Sequence, residues 1–157
     1  PSFNLDGRVN YFISRSYISD WRKYMNPPVR RSDIVFNHLY LDFDRDLIIT
    51  EGVFDAVVAG KNSVPILGST LKENSRLFQE IVKNDTPVYL ALDPDAEKKA
   101  RKLISDLLKY DVELYKVDIS PYGDVNEMGR EKFIERKNEA TFLNSDSYLM
   151  YEISNSL

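Results

Sequence analysis

The chain of 157 residues contains no cysteine and a single histidine, His38. Without cysteine there is no disulfide, no thiol nucleophile and no cysteine-based zinc site, and the composition fits a reducing compartment. A lone imidazole excludes a multi-histidine metal site and any relay between histidines, so His38 reads as a structural or exposed residue. Glycine and proline are sparse, at 6 and 7 residues, and no segment repeats. Low-complexity disorder and solenoid architectures are excluded on that ground. No apolar run approaches the roughly 18 residues that would cross a bilayer, and no charged-then-apolar leader opens the chain. These absences point to a cytoplasmic protein without a membrane partner. They leave the chemistry to carboxylates, Lys/Arg, hydroxyls and bound ions.

What is present suits one domain with a real core: 43% hydrophobic and 29% charged residues. The net charge of −4 is unevenly spread. Residues 1–31 hold Arg8, Arg15, Arg22, Lys23, Arg30 and Arg31 against Asp6 and Asp20, a local +4 that leaves the remainder near −8. A basic arm ahead of an acidic body suits a protein that meets polyanions at one end and cations at the other; a merely solvated basic segment is the plain alternative. Trp21 and Tyr24 interleave with Arg22 and Lys23, a pattern that serves core packing or stacking on a single strand.

Alternation of Val9, Tyr11 and Ile13 predicts a half-buried strand over 8–14, followed by a turn-rich basic connection over 20–37. Apolar runs at 47–50, 64–67, 88–92 and 112–117 follow. Several are continuous, as in strands of a parallel sheet covered on both faces. Helical periodicity predicts helices over 52–60, 71–83 with Ser69 or Thr70 as cap, and 96–110 with Lys98, Lys99, Arg101 and Lys102 on a solvated face. A further helix is expected from near Asn126 to Asn138, with Asp124 as its cap; residues 141–157 yield no assignable element. The order βαβαβαβ implies an α/β fold: a right-handed, mostly parallel sheet with helices on both faces, preceded by a small basic strand and turn segment. The chain divides accordingly into 1–45, 46–122 and 123–157.

The acids carry the functional reading. Glu51 follows the first strand of the α/β unit, with Gly52 expected to let the chain turn sharply into the helix, and Asp55 lies one helical turn on. Asp93 and Asp95 follow VYLAL and, at strand spacing, point to one side. Ligands of open parallel sheets collect at the carboxyl ends of strands. Carboxylates gathered there need a shared proton or a cation, and a hard divalent ion such as Mg²⁺ takes such oxygens together with substrate phosphates. Taken singly, Asp93 and Asp95 also suit a helix N-terminus. Gly68-Ser69-Thr70 offers backbone N–H groups to a phosphate, or is a plain turn.

Glu51-Gly52-Val53-Phe54-Asp55 followed by Asp93-Pro94-Asp95 resembles the TOPRIM domain shared by DnaG-type primases, type IA and type II topoisomerases and small nucleases. The flanks resemble the primase branch: Gly7-Arg8-Val9 with Ser14-Arg15, then Lys23-Tyr24-Met25-Asn26-Pro27, the turn Gly68-Ser69-Thr70-Leu71, and Pro121-Tyr122-Gly123-Asp124-Val125-Asn126-Glu127. The likeness covers about residues 7–137, and its wording is closer to phage-encoded primases. It departs from the bacterial pattern in Ala96-Glu97-Lys98-Lys99 after the Asp-x-Asp. The short connection after Lys23 leaves Arg30 and Arg31 as alternatives for one basic position. The family's zinc module and most of the N-terminal half of the core are missing, and a start at Pro1 reads as a fragment.

The resemblance implies a basic primase-core segment over 1–45, a TOPRIM domain over 46–122 and a C-terminal helical extension over 123–157. It implies catalytic Glu51, Asp93 and Asp95; metal ligation by these with Asp55 and Asp124; and nucleotide or template binding by Arg8, Arg15, Lys23, Arg30, Arg31, Gly68 and Ser69. The implied cofactor is Mg²⁺ or Mn²⁺, as two ions, with no zinc in this fragment. The implied partners are single-stranded DNA, nucleoside triphosphates, an RNA–DNA hybrid product and, through regions absent here, a replicative helicase. The activity would be synthesis of short RNA primers, in the host cytoplasm if phage-encoded. A small TOPRIM nuclease and a non-catalytic nucleic-acid-binding domain are the alternatives.

Overall fold

Two short antiparallel pairs open the chain: β1 (Ser2–Phe3) with β2 (Val9–Tyr11), and β3 (Ser14–Arg15) with β4 (Tyr24–Met25). The computed structural model describes residues 1–18, 24–68 and 70–154. Trp21, Arg22, Lys23 and Ser69 lie outside them. The strand expected over 8–14 is divided in two, and of its three apolar positions Tyr11 is buried, Ile13 is half-buried and Val9 faces solvent. Strands this short satisfy their neighbours through side chains instead: Ser2 Oγ donates to Asn10 Oδ1 at 2.6 Å, and Asn10 Nδ2 donates to the Val35 carbonyl at 3.3 Å.

The α/β unit then runs β5 (Leu47–Thr50), α1 (Val53–Ala59), β6 (Ser63–Pro65), α2 (Arg76–Lys83), β7 (Val88–Ala91), α3 (Glu97–Leu108) and β8 (Leu114–Lys116). After it come α4 (Val125–Met128), α5 (Arg130–Asn138), β9 (Thr141–Leu143) and α6 (Ser145–Ser154). The sheet order is β6-β5-β7-β8-β9. Its first four strands are parallel, and β9, in a stretch whose sequence predicts no element, joins the edge antiparallel to β8.

Alternate residues of the strands feed two cores. Leu47, Ile49, Val88, Leu90 and Leu114 pack with Leu77, Phe78 and Ile81 of α2 and Leu103, Ile104 and Leu107 of α3; Tyr11, Val35 and Phe36 of the first segment join them. Ile48, Ala91 and Val117 face Ala59, Val125, Met128 and Phe133 from α1, α4 and α5. Helices therefore cover both faces, and each fully buried Leu or Ile contributes about 1.5–3 kcal/mol. His38 is buried as well, edge-on to Phe43 at 5.7 Å, which makes it structural. Burial and the nearby Arg76 charge lower its pKa.

Three local expectations need correction. α2 starts at Arg76 rather than 71, because Ser75, not Ser69 or Thr70, accepts the Phe78 N–H as its cap. Leu71 is buried from the preceding turn, which is why it fits the helical period. The helix expected over 126–138 is two, broken at Gly129 with φ +79°. Gly52 has an ordinary extended backbone (φ −107°), so it serves space rather than a sharp turn: an added Cβ would lie 2.5 Å from Asp55 Oδ2.

Candidate metal and nucleotide site

The chain leaves β5 for the edge strand β6 and returns to β7 on the other side of β5. The carboxyl ends of β5 and β7 are thus neighbours at the point where the winding reverses, and Thr50 pairs with Ala91 across them. Glu51 is the first residue beyond β5 and Asp93 the second beyond β7. Pro94–Ala96 forms a 3₁₀ turn, so Asp95 reaches the same spot through a turn and not through strand spacing. One carboxylate oxygen from each of Glu51, Asp93 and Asp95 lies within 4.8 Å of the others.

This proximity shows in the electrostatics. Burial first, then the charges of Asp55, Glu51, Asp124 and Asp95, push the Asp93 carboxyl up to about 7. Glu51 Oε2 and Asp93 Oδ1 are buried atoms with no hydrogen-bond partner. Unpartnered hard oxygens on converging carboxylates fit a divalent cation such as Mg²⁺, which would be held by Glu51, Asp93 and Asp95.

Asp55 and Asp124 are otherwise engaged. Asp55 is buried; its Oδ2 accepts the Gly52 N–H at 3.1 Å and its Oδ1 the Asn126 N–H at 3.0 Å, tying the start of α1 to α4. Burial is the largest cause of its raised pKa. Asp124 caps α4 by accepting the Glu127 N–H at 2.6 Å, as its position before a helix led one to expect. Both still line the cleft beside Asp93.

That open cleft of about 430 Å³ is bordered on its other wall by Ile13, Arg15, Tyr24 and Asn26 from the first segment. Arg15 and Tyr24 are register partners in the β3–β4 pair, and the guanidinium lies over the ring at 5.6 Å. The basic arm therefore reaches the acids through Arg15. Arg8 does not line this cleft; it closes the first hairpin, its N–H donating to Asn4 Oδ1 at 2.9 Å. Arg30 and Arg31 line a second cavity of about 400 Å³ with Gly68, Thr70 and Lys72, beyond the carboxyl end of β6. Lys23 and Ser69 fall outside the described residues.

Lys99 was missed as a site residue. Its Nζ lies 2.8 Å from Glu51 Oε1, and this hydrogen bond raises its pKa. The available signal was position: Lys99 is four residues beyond Asp95 on a helix that starts at the acids, so it faces them.

No family model matches the chain. Among curated proteins, the DNA primase of Thermotoga maritima is 27% identical over 141 residues, covering 82% of this chain and 25% of that protein. Among solved structures, the Aquifex aeolicus primase (zinc-binding and RNA polymerase domains) matches with a TM-score of 0.74 at 26% identity, over 91% of this chain and 40% of that one. The DnaG primase catalytic domain bound to single-stranded DNA matches at 0.79 and 19% identity, over 100% of this chain and 55% of that one, and shows the fold alone. The chain spans a quarter of the curated relative's length. Within that span it is similar to the catalytic core of DnaG-type primases in sequence and in fold, as the motifs around Glu51 and Asp93 imply.

Proposed function

We propose that this chain carries the metal-binding part of the catalytic core of a DnaG-type DNA primase, which makes short RNA primers from nucleoside triphosphates on single-stranded DNA. Residues 1–45 would be the last portion of the N-terminal subdomain, 46–122 the TOPRIM domain and 123–157 its C-terminal extension. The reading rests on one observation above the rest: three carboxylates converge at the β5/β7 switch point with two buried oxygens unpartnered.

When bound, Mg²⁺ or Mn²⁺, as two ions, supplies the activation of the primer 3′-hydroxyl and the charge neutralisation on the departing pyrophosphate. Glu51, Asp93 and Asp95 supply the oxygens that fix those ions, with Asp55 and Asp124 as supporting acids. Arg15, its guanidinium 5.6 Å from the centre of the Tyr24 ring, places positive charge across the cleft from Asp55, Asp93 and Asp124, where it neutralises a phosphate without reading a base. Lys23 and Arg8 extend the same basic arm. Arg30 or Arg31, with Gly68, would form the second phosphate-holding wall, and Ser69 would add to it by its place in the sequence. The wording of residues 51–55 and 68–71 supports a phage-encoded primase working in the host cytoplasm. A replicative helicase and zinc-based template selection would act through regions outside this chain.

The test is a denaturing gel with end-labelled single-stranded DNA, labelled nucleoside triphosphates and Mg²⁺ or Mn²⁺, run beside Glu51→Gln. Short new products that require triphosphates and Glu51 are expected. Shortening of the labelled strand without triphosphates would instead establish a nuclease. Metal-independent DNA binding that survives Glu51→Gln, with no product of either kind, would leave a binding domain.

A further inference from the structure

Lys99 lies in the first turn of α3, the helix that begins two residues after Asp95, so its ammonium is confined to the acid end of the sheet. There it contacts Glu51 Oε1 at 2.8 Å, with its side chain 43% and that of Glu51 28% exposed. Lys102, three residues on, turns away to Asp106 at 3.1 Å, and Lys109 pairs with the same Asp106 at 2.7 Å. The ammonium on Glu51 is thus a cation already seated on one of the three converging carboxylates. It reaches there on a flexible, unbranched stem that can swing.

We propose that Lys99 is an exchangeable counter-ion and positioning residue: it neutralises Glu51 while the acids lack a cation, and moves to a phosphate oxygen of the nucleoside triphosphate once they hold one. The inference rests on the reading of Glu51, Asp93 and Asp95 as cation ligands. A divalent cation on the unpartnered Oε2 would stand close to the ammonium on Oε1, and the repulsion between them weakens the hold of Glu51 on Lys99 and favours its release. The released ammonium stays tethered at the same edge. The substrate phosphates that complete the shell of a hard cation bring new negative oxygens to that edge. An ammonium is a point donor with three N–H groups, suited to follow a charge that appears at a different place. Arg15 on the opposite wall is held against Tyr24, which leaves Lys99 as the mobile cation of the pair.

The experiment has two arms on the same protein. In the first, free Mn²⁺ is counted by electron paramagnetic resonance during titration of the wild type, Lys99→Met, Lys99→Arg and Glu51→Gln, without nucleotide. Lys99→Met should bind Mn²⁺ several-fold more tightly, because the competing charge is gone, and Glu51→Gln more weakly. In the second, ATP is titrated at saturating Mn²⁺. Lys99→Met should bind ATP about tenfold more weakly, the loss of one charge-assisted contact, and Lys99→Arg should recover most of that. Tighter Mn²⁺ with unchanged ATP affinity would make Lys99 a counter-ion only and overturn the hand-over. Unchanged Mn²⁺ affinity in Lys99→Met would overturn the competition itself. Absence of Mn²⁺ binding to the wild type would remove the underlying metal reading, and the first arm shows that before ATP is added.

Discussion

Asp93→Asn should make the protein more stable at pH 8, although it removes a residue of the site. Asp93 ionises near 7 in the folded chain against 3.8 ordinarily, chiefly because it is desolvated and then because four other carboxylates surround it. Below about pH 4 the carboxyl is protonated whether the chain is folded or not, and the group costs nothing. Between pH 4 and 7 the unfolded chain ionises first, so stability falls as pH rises; above about 7 the full penalty is present. At full value this displacement corresponds to about 4 kcal/mol. The side chain borders an open cleft, and screening there reduces the figure to about 2 kcal/mol. For a chain of this size that is a rise in Tm of about 4–8 °C.

The assay is thermal unfolding of wild type and Asp93→Asn at pH 5 and pH 8, each with and without Mg²⁺. The gain from the substitution should be largest at pH 8 without Mg²⁺ and measurably smaller at pH 5, where only part of the penalty is present. Mg²⁺ should stabilise the wild type at pH 8, since a ligand that binds only the folded acids shifts unfolding upward, and should do less for the variant. An equal gain at both pH values would mean that the substituted amide acts by packing, not by removing charge. No gain at pH 8 would refute the claim that the acids repel one another in the folded chain.

Three further outcomes follow from the same contacts. Asp55→Ala leaves the N–H groups of Gly52 and Asn126 without their carboxylate, and should cost about 2–4 kcal/mol in urea unfolding. Gly60→Ala should cost about 1–3 kcal/mol, because φ +98° disfavours a side chain and the new Cβ would overlap the Arg130 guanidinium; adding Arg130→Ala should restore part of the loss but not all. Ser75→Ala should cost about 1 kcal/mol, whereas Thr70→Ala should be near neutral, since Ser75 is the residue that caps α2.

The sheet and the three converging acids were legible because both leave local marks. Strands buried on both faces appear as unbroken apolar runs such as Leu47-Ile48-Ile49, and an acid directly after such a run needs no long-range information to be noticed. The edge strand β9 leaves no such mark: Thr141 and Phe142 are exposed, Leu143 alone is buried, and its place beside β8 is set by pairing across the sheet. Asp55 shows a different failure. Helical spacing puts it above Glu51, yet the first turn of α1 has a bare backbone N–H at Gly52 that a carboxylate three residues on satisfies; Gly52-Val53-Phe54-Asp55 therefore carries a capping signal that competes with the ligand signal, and for the side chain's orientation capping wins. Lys99 lay in plain view among four basic residues of one helix. Periodicity assigned it to solvent correctly in the sense of exposure, but periodicity ranks faces of a helix and carries nothing about what stands opposite its first turn. Only the fold brings Glu51 there, 48 residues earlier in the chain, and with it the difference between a solvated lysine and one seated on the candidate metal site.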